Sequence, residues 1–560
     1  MGCLVNLGAV FLFMWWFFIV LMWYSGPPRP AQQLLSFDLF ALCQIACCLP
    51  AFFVWARPKK AYYLACGAVL FVLALANEKW EWLPAVSRII RLREATAETL
   101  LRAPTVIIVT ASLLLLALTW LLFQRGPQTM LKRGAAVRPL KVYEDEQEIV
   151  VGAFDPELLP ADMRQFAAAE KGAKISLPAG LLTRGISILG DPGSGKSRLM
   201  RLLHDGVRRL HPDIPVLIHD PKGEWLRTCY DPATDLIFAP FDRRTVAWDI
   251  FSDLKRRPQL LSSIAATAVN QHHGAGIGEN LYWVDAATSI VKEQLETSND
   301  LTSFRDGLLK WRKARMSDKT ALSAYSSARP AVRDIATIAL ADGPGQKRSM
   351  DDFLAHRGRI FLLNSPMQAD EQNGPFALFL SAFMLSCLSQ PDSPRPRACA
   401  IIDEALTFHL PPAVEHAVCA QARSKGLITI AGAQWLPKDE RRLLTRAEFI
   451  FGMKVGDLAT GKTLAALCGQ TIYEEEVTSR TTAGLFSGVP DSTHTGPQER
   501  QRDLMPPDYF RCLPHRSFVL LHQAGVAPGY TAAVAGDQNE HVAAFEYEQR
   551  PAVSEYMKVL

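Results

Sequence analysis

The stretch Gly190-Asp191-Pro192-Gly193-Ser194-Gly195-Lys196-Ser197 decides the reading of this chain. It fits the phosphate-binding loop pattern G-x-x-x-x-G-K-[ST] at every fixed position. An apolar run, Gly185 to Leu189, precedes it, and Arg198-Leu199-Met200-Arg201-Leu202-Leu203 opens a helix behind it. The chemistry needs that order. Glycines let backbone N–H groups close around phosphate oxygens, and the N-terminus of the following helix adds partial positive charge. Gly190 to Ser197, with Arg198 next in line, are therefore the expected cradle for ATP. Within it Lys196 reaches the β- and γ-phosphates, and the Ser197 hydroxyl ligates Mg2+.

Working downstream, Pro215 to His219 reads as a second strand, and it ends in Asp220-Pro221-Lys222-Gly223-Glu224-Trp225. That order places polar groups at the carboxyl edge of a parallel sheet, where ligands bind. An ordinary strand-to-loop turn is the alternative. Ala398-Cys399-Ala400-Ile401-Ile402 makes a buried strand with Asp403 and Glu404 at its tip. Asp403 is suited to hold Mg2+, and Glu404 to orient or activate an attacking water. An apolar run ending in Asp-Glu is weak alone and strong beside a phosphate loop, because such an ATPase needs an acid there. Gly426 to Gln434 is a strand ending in glutamine, and Gln434 is placed to sense the γ-phosphate or the water; a surface amide is the alternative. Arg423, in a polar helix end just before that strand, is a candidate arginine finger for a neighbouring subunit's nucleotide, against an ordinary exposed arginine. Arg359 to Asn364 and Ala447 to Val455 read as two more strands.

Between Lys196 and Asp403 lies far more chain than one or two βα units occupy, so something is inserted. Residues 255–355 carry apolar positions at helix spacing, Leu281, Val284, Val291 and Leu295 most clearly, then Leu308, Trp311 and Met316 more loosely. Arg312, Lys313 and Arg315 cluster within one turn there and are candidate phosphate contacts, weighed against a solvated helix face.

Hydrophobic residues make up 49% of the chain, and the excess sits in the first 125 residues as apolar stretches at about 7–24, 37–56, 61–76 and 105–123. The first, second and fourth have the length to cross roughly 30 Å of hydrocarbon, and the third is marginal. Arg57, Lys59 and Lys60, with the basic residues after the last stretch, favour four spans with both termini in the cytoplasm. Two spans, with the middle stretches packed on partners, is the alternative. The 11 cysteines form no CxxC pair and the 12 histidines have no zinc-ligand spacing, so no metal besides Mg2+ is implied. A net charge of +4 permits nucleic-acid binding without demonstrating it.

Taken in order, GDPGSGKS at 190–197, HDPKGEW at 219–225, FDRRTVAWDIF at 241–251, ENLYWVDAA at 279–287, IIDEA at 401–405 and ARSKGLITIAGAQ at 422–434 resemble the coupling proteins of bacterial conjugation and type IV secretion. The resemblance implies an α/β fold: a RecA-like P-loop nucleotide-binding domain with an inserted all-α domain, preceded by an N-terminal α-helical transmembrane region. The corresponding boundaries are an anchor at 1–125, the nucleotide-binding domain at 126–254 and 356–530, the insertion at 255–355 and a tail at 531–560. It further implies a multi-pass protein of the bacterial inner membrane with a cytoplasmic motor, assembled as a homohexamer. Such a motor couples ATP hydrolysis to passing single-stranded DNA with its relaxase, the relaxosome cargo, into the type IV secretion channel. On that analogy Lys196, Glu404, Gln434 and Arg423 carry catalysis, and Ser197 and Asp403 hold Mg2+. A receptor for protein effectors and an FtsK-like DNA translocase are the alternatives. An ABC transporter is excluded, since no LSGGQ-like signature lies between the loop and Asp403.

Overall fold

The computed structural model describes residues 130–560, apart from 135, 143–145, 274–279, 342–345, 365–368, 437–440, 482–491, 524, 534–541 and 549–551. Fourteen strands can be traced among the described residues: β1 (Met130–Arg133), β2 (Glu148–Phe154), β3 (Lys174–Pro178), β4 (Ile186–Leu189), β5 (Val216–Asp220), β6 (Leu236–Phe238), β7 (Arg359–Leu363), β8 (Ala398–Ile402), β9 (Leu427–Ala433), β10 (Phe449–Gly452), β11 (Gln470–Thr481), β12 (Ser492–Asp503), β13 (Ser517–His522) and β14 (Gly525–Thr531). β1, β11 and β12 form a small sheet of their own. The other eleven form one sheet in the order β3-β2-β14-β13-β10-β4-β9-β8-β5-β7-β6.

Its two halves differ in kind. From β10 to β6 every neighbouring pair is parallel, whereas β13, β14, β2 and β3 are added antiparallel. Every residue of β4, β5, β8, β9 and β10 is buried, so helices cover both faces of that half. Such strands read in the sequence as unbroken apolar runs rather than as alternation. The one hydroxyl buried in β4, that of Ser187, is satisfied by the Leu444 carbonyl at 2.8 Å.

The chain between β6 and β7 is helical. Its longer helices are Leu261–His273, Asn280–Thr297, Leu301–Ala314 and Lys319–Ala339. Asp300 and Asp318 start the last two by accepting backbone N–H groups of the first turn, which satisfies donors a helix start leaves orphaned. Val284, Val291 and Leu295 face the core as their spacing predicts, but Leu281 is 48% exposed and Met316 is 68% exposed, so the apolar stripe is shorter than read. The tail folds back on the body: Glu546 and Glu548 pair by backbone with Arg243 and Phe241, and the Ala552–Val559 helix packs against Lys319–Ala339.

The expectation of a multi-pass inner-membrane protein is corrected. No helix among the described residues is long and apolar enough to cross a membrane. The most apolar long helix, Ala369–Leu388, spends its surface inside the domain: Phe376, Phe379 and Phe383 are fully buried, and the Phe379 ring stacks on Phe238 at 4.2 Å between centroids. The four stretches read as an anchor lie in residues 1–125, outside the described residues.

Candidate functional site

Five adjacent parallel strands deliver their carboxyl ends to one edge of the sheet. β4 leads into the glycine loop, β9 into Gln434, β8 into Asp403 and Glu404, β5 ends in His219 and Asp220, and β10 leads into Met453 to Gly456. Residues far apart in sequence meet there because the chain leaves β4 by a helix and returns in β5, three strands away, with β9 and β8 filled in later between them.

The loop is shaped by its neighbours. Gly190 N–H donates to the Ala433 carbonyl at 3.0 Å and Asp191 N–H to the Lys454 carbonyl at 2.8 Å. The Asp191 carboxylate accepts from Gly456 N–H at 2.6 Å. A Cβ at Gly190 would stand 2.6 Å from Ser194 Oγ and 2.9 Å from Met453 Cβ, so only glycine fits. Gly195 has a φ of 110°, a conformation side chains resist, and it hands the chain directly to the helix beginning at Lys196. Pro192 and Gly193 are exposed at the mouth of the loop, while Ser197 and Arg198 are half-buried in the first turn.

Lys196, 7% exposed, carries the electrostatics. Its Nζ donates to Glu404 Oε1 at 2.8 Å and lies 3.3 Å from Asp403 Oδ1. Gln434 Nε2 donates to the same Glu404 oxygen at 2.8 Å. Burial pushes the Glu404 carboxyl up, but hydrogen bonds from Lys196 and Gln434 and the charges of Lys196 and Lys222 outweigh it and leave it below its ordinary value. Glu404 is thus an ionised carboxylate. It is also held at a φ of 59°, a cost that over-determined surroundings maintain at functional sites.

Those surroundings include groups the sequence reading passed over. His219, buried and kept neutral by desolvation, donates from Nδ1 to the Asp403 carbonyl and packs edge-on to Phe408 at 4.6 Å. Gln271, at the end of the Leu261–His273 helix, grips the loop after Glu404 from both sides: its Nε2 donates to Thr407 O at 3.0 Å, and its Oε1 accepts from His409 N at 2.9 Å. Arg441 donates to Phe408 O in the same loop. Only the HDPKGEW pattern pointed to His219; Gln271 had no signal.

Arg423 and the basic group at Arg312 fall outside the cluster. Arg423 is exposed on the Pro412–Lys425 helix, lining a hollow with Asp392, Ser393 and Pro394. Arg312 is engaged by the tail: its Nη1 donates to Leu560 O at 2.6 Å, and its guanidinium lies over Tyr325 at 5.8 Å.

The site's oxygens suit a hard cation. The Ser197 hydroxyl and the Asp403 carboxylate are such donors, and phosphate oxygens and water complete a Mg2+ shell in sites of this type.

Comparison with known proteins follows the same lines. Over 104 residues, 19% of this chain, the sequence is 32% identical to the coupling protein TraD of Escherichia coli strain K12, and the match spans only 14% of TraD. The bacterial conjugative coupling protein TrwBΔN70, in its unbound monoclinic form, superposes with a TM-score of 0.57 at 17% identity, over 75% of this chain and 97% of that one. The plasmid coupling protein TrwB in complex with ADP and Mg2+ gives a TM-score of 0.54 at 17% identity, over 75% of this chain and all of that one. At such identity they establish the shared α/β fold. Residues 170–527 match the family model described as the type IV secretion-system coupling protein DNA-binding domain, and with most of the chain inside that match, the protein belongs to the type IV secretion-system coupling protein family.

Proposed function

We propose that this protein is an ATPase that couples ATP hydrolysis to the transfer of single-stranded DNA, with its relaxase, into a type IV secretion channel during conjugation. The observation that carries the reading is the bracketing of Lys196 by Asp403 and Glu404 under Gln434. The loop lysine neutralises both acids. An incoming triphosphate offers it a more highly charged partner. Lys196 then turns to the β- and γ-phosphates, and the Glu404 carboxylate is released to accept a proton from the attacking water. Gln434, still hydrogen-bonded to Glu404 or to that water, reports whether the γ-phosphate is present. Ser197 and Asp403 would hold Mg2+, which would neutralise the charge that develops on the phosphates.

The exposed position of Arg423 supports a finger that completes a neighbouring subunit's site in a ring, the homohexamer that the resemblance implies. The residue groups 126–254 with 356–530 and 255–355 then act as motor and insertion. Family membership and the ADP–Mg2+ complex of the TrwB neighbour support this reading.

The test is ATP hydrolysis by the purified full chain, with and without single-stranded DNA, and with Glu404→Gln as the control. Hydrolysis that DNA stimulates and Glu404→Gln abolishes is expected. Hydrolysis indifferent to DNA but raised by a protein substrate would replace this reading with a protein-effector receptor, and an equal response to duplex DNA would favour an FtsK-like translocase.

A further inference from the structure

Among the described residues two non-glycine residues adopt positive φ, Glu404 at 59° and Arg516 at 65°. Both adjoin the glycine loop. An L side chain in this region is strained, and surrounding contacts must hold it there. Glu404 has a place in the proposed chemistry. Arg516, which no sequence motif marks, does not.

Arg516 precedes β13 in the turn after the Pro507–Cys512 helix. Its N–H donates to the Ser194 carbonyl at 3.0 Å. Its own carbonyl accepts from Thr531 N–H at 2.9 Å and from Thr531 Oγ1 at 3.1 Å. The backbone is therefore pinned on both sides against the loop. His515 Nδ1 lies 2.7 Å from the Gly193 carbonyl. A carbonyl only accepts, so that nitrogen carries the proton, and Nε2 is free to accept from Arg516 Nε at 3.1 Å.

Two consequences follow. The Ser194 carbonyl shares its planar trans peptide with Gly195 N–H, so holding that carbonyl from one side turns the N–H to the other. The turn thereby sets a donor of the phosphate cradle. Second, a Cβ at Gly195 would be 3.4 Å from Arg516 Cα and 3.6 Å from Cγ, so the arginine stem runs along the loop itself. The side chain is exposed, Nε is steered by His515, and among the described residues Nη1 and Nη2 have no protein partner.

We propose that the His515–Arg516 turn is part of the nucleotide site, with Arg516 supplying a second cation, from the same subunit as Lys196, to a nucleoside di- or triphosphate. The proposal rests on the nucleotide reading of the loop. A guanidinium is suited to the task because it offers paired donors to phosphate oxygens.

The experiment measures affinity for fluorescently labelled ADP with Mg2+ in the full chain. Arg516→Gly keeps the turn, because glycine adopts this φ freely, and deletes the guanidinium. It is expected to weaken binding about ten-fold, the size of a lost hydrogen-bonded ion contact, while the thermal midpoint without nucleotide stays level or rises. Arg516→Lys, which keeps the charge, is expected to restore most of the affinity. Wild-type affinity in Arg516→Gly, or equal loss in both variants, overturns the proposal. Lys196→Ala guards the parent reading: wild-type affinity there refutes the nucleotide site as a whole, and this proposal with it. Loss in Lys196→Ala with none in Arg516→Gly refutes this proposal alone.

Discussion

Lys196 Nζ and Glu404 Oε1 stand 2.8 Å apart, so the cation of the phosphate loop and the carboxylate at the tip of β8 hold each other. Each must let go before the proposed hydrolysis can begin. Glu404→Gln removes the charge that retains Lys196 and keeps an oxygen in place. Hydrolysis should fall by about 100-fold or more, while affinity for a labelled ATP analogue stays equal or improves. A variant that hydrolyses at the wild-type rate removes Glu404 from the chemistry. One that loses affinity shows that the pair assists binding instead of competing with it.

The contact between Gln271 and the loop after Glu404 predicts a different phenotype. Thr407 N–H donates to Glu404 O at 3.0 Å, and Thr407 O is held by Gln271, so the inserted helices reach the carboxylate through one residue. Gln271→Met preserves length and deletes both hydrogen bonds. It should lower kcat several-fold, leave KM for ATP within about two-fold and blunt stimulation by DNA. A parallel rise in KM would point to general disruption of the site.

Asp220 makes stability depend on pH. Burial raises its carboxyl from 3.8 to about 6, against the pull of N–H groups from residues 222–226, among them Glu224 N at 3.1 Å and Leu226 N at 2.9 Å. A raised acid binds its proton more tightly folded than unfolded. Its stabilising contribution is therefore complete below about pH 4 and is lost as pH climbs through about 6, by up to about 3 kcal/mol. Asp220→Asn cannot titrate. The thermal midpoint of wild type minus that of Asp220→Asn should fall from about pH 4 to about pH 7 and then level. A flat difference would mean that the folded carboxyl titrates at its ordinary value.

Much of the sheet edge was legible because its strands are buried on both faces. Runs such as Ala398–Ile402 and Leu427–Ala433 then have no competing period, and the polar residue ending each run marks the edge. The placement of Gln434 beside Glu404 follows from β9 lying next to β8. What could not be read is side-chain work done across the fold. Gln271 is an ordinary polar residue at a helix end until the 407–409 loop is laid against it. His515 and Arg516 lie in a turn whose strain arises only from contact with Ser194 and Thr531. The apolar stripe over-reached at Leu281 because helix periodicity cannot tell where the covering neighbour stops. Arg312 looked free for DNA because its partner, Leu560, is at the far end of the chain.

That last contact separates one of three basic residues that the sequence treats alike from the other two. Arg312 is committed to Leu560 O and lies over Tyr325. Arg315 lies over the Trp311 ring at 4.4 Å and, like Lys313, is exposed. If Lys313 and Arg315 are phosphate contacts, Lys313→Ala and Arg315→Ala should each weaken single-stranded DNA binding about equally for all sequences. Each should also reduce the slope of log affinity against log salt by about 1, since one phosphate contact and its released counterion are lost. Arg312→Ala should instead loosen the Ala552–Val559 helix, lowering the thermal midpoint while the salt slope stays that of wild type. The assay is fluorescence anisotropy with single strands of unrelated sequence across a salt series, beside thermal melts of the same samples. A changed slope in Arg312→Ala with an unchanged melt would return that residue to the DNA surface. Unchanged slopes in both Lys313→Ala and Arg315→Ala would remove this helix end from it.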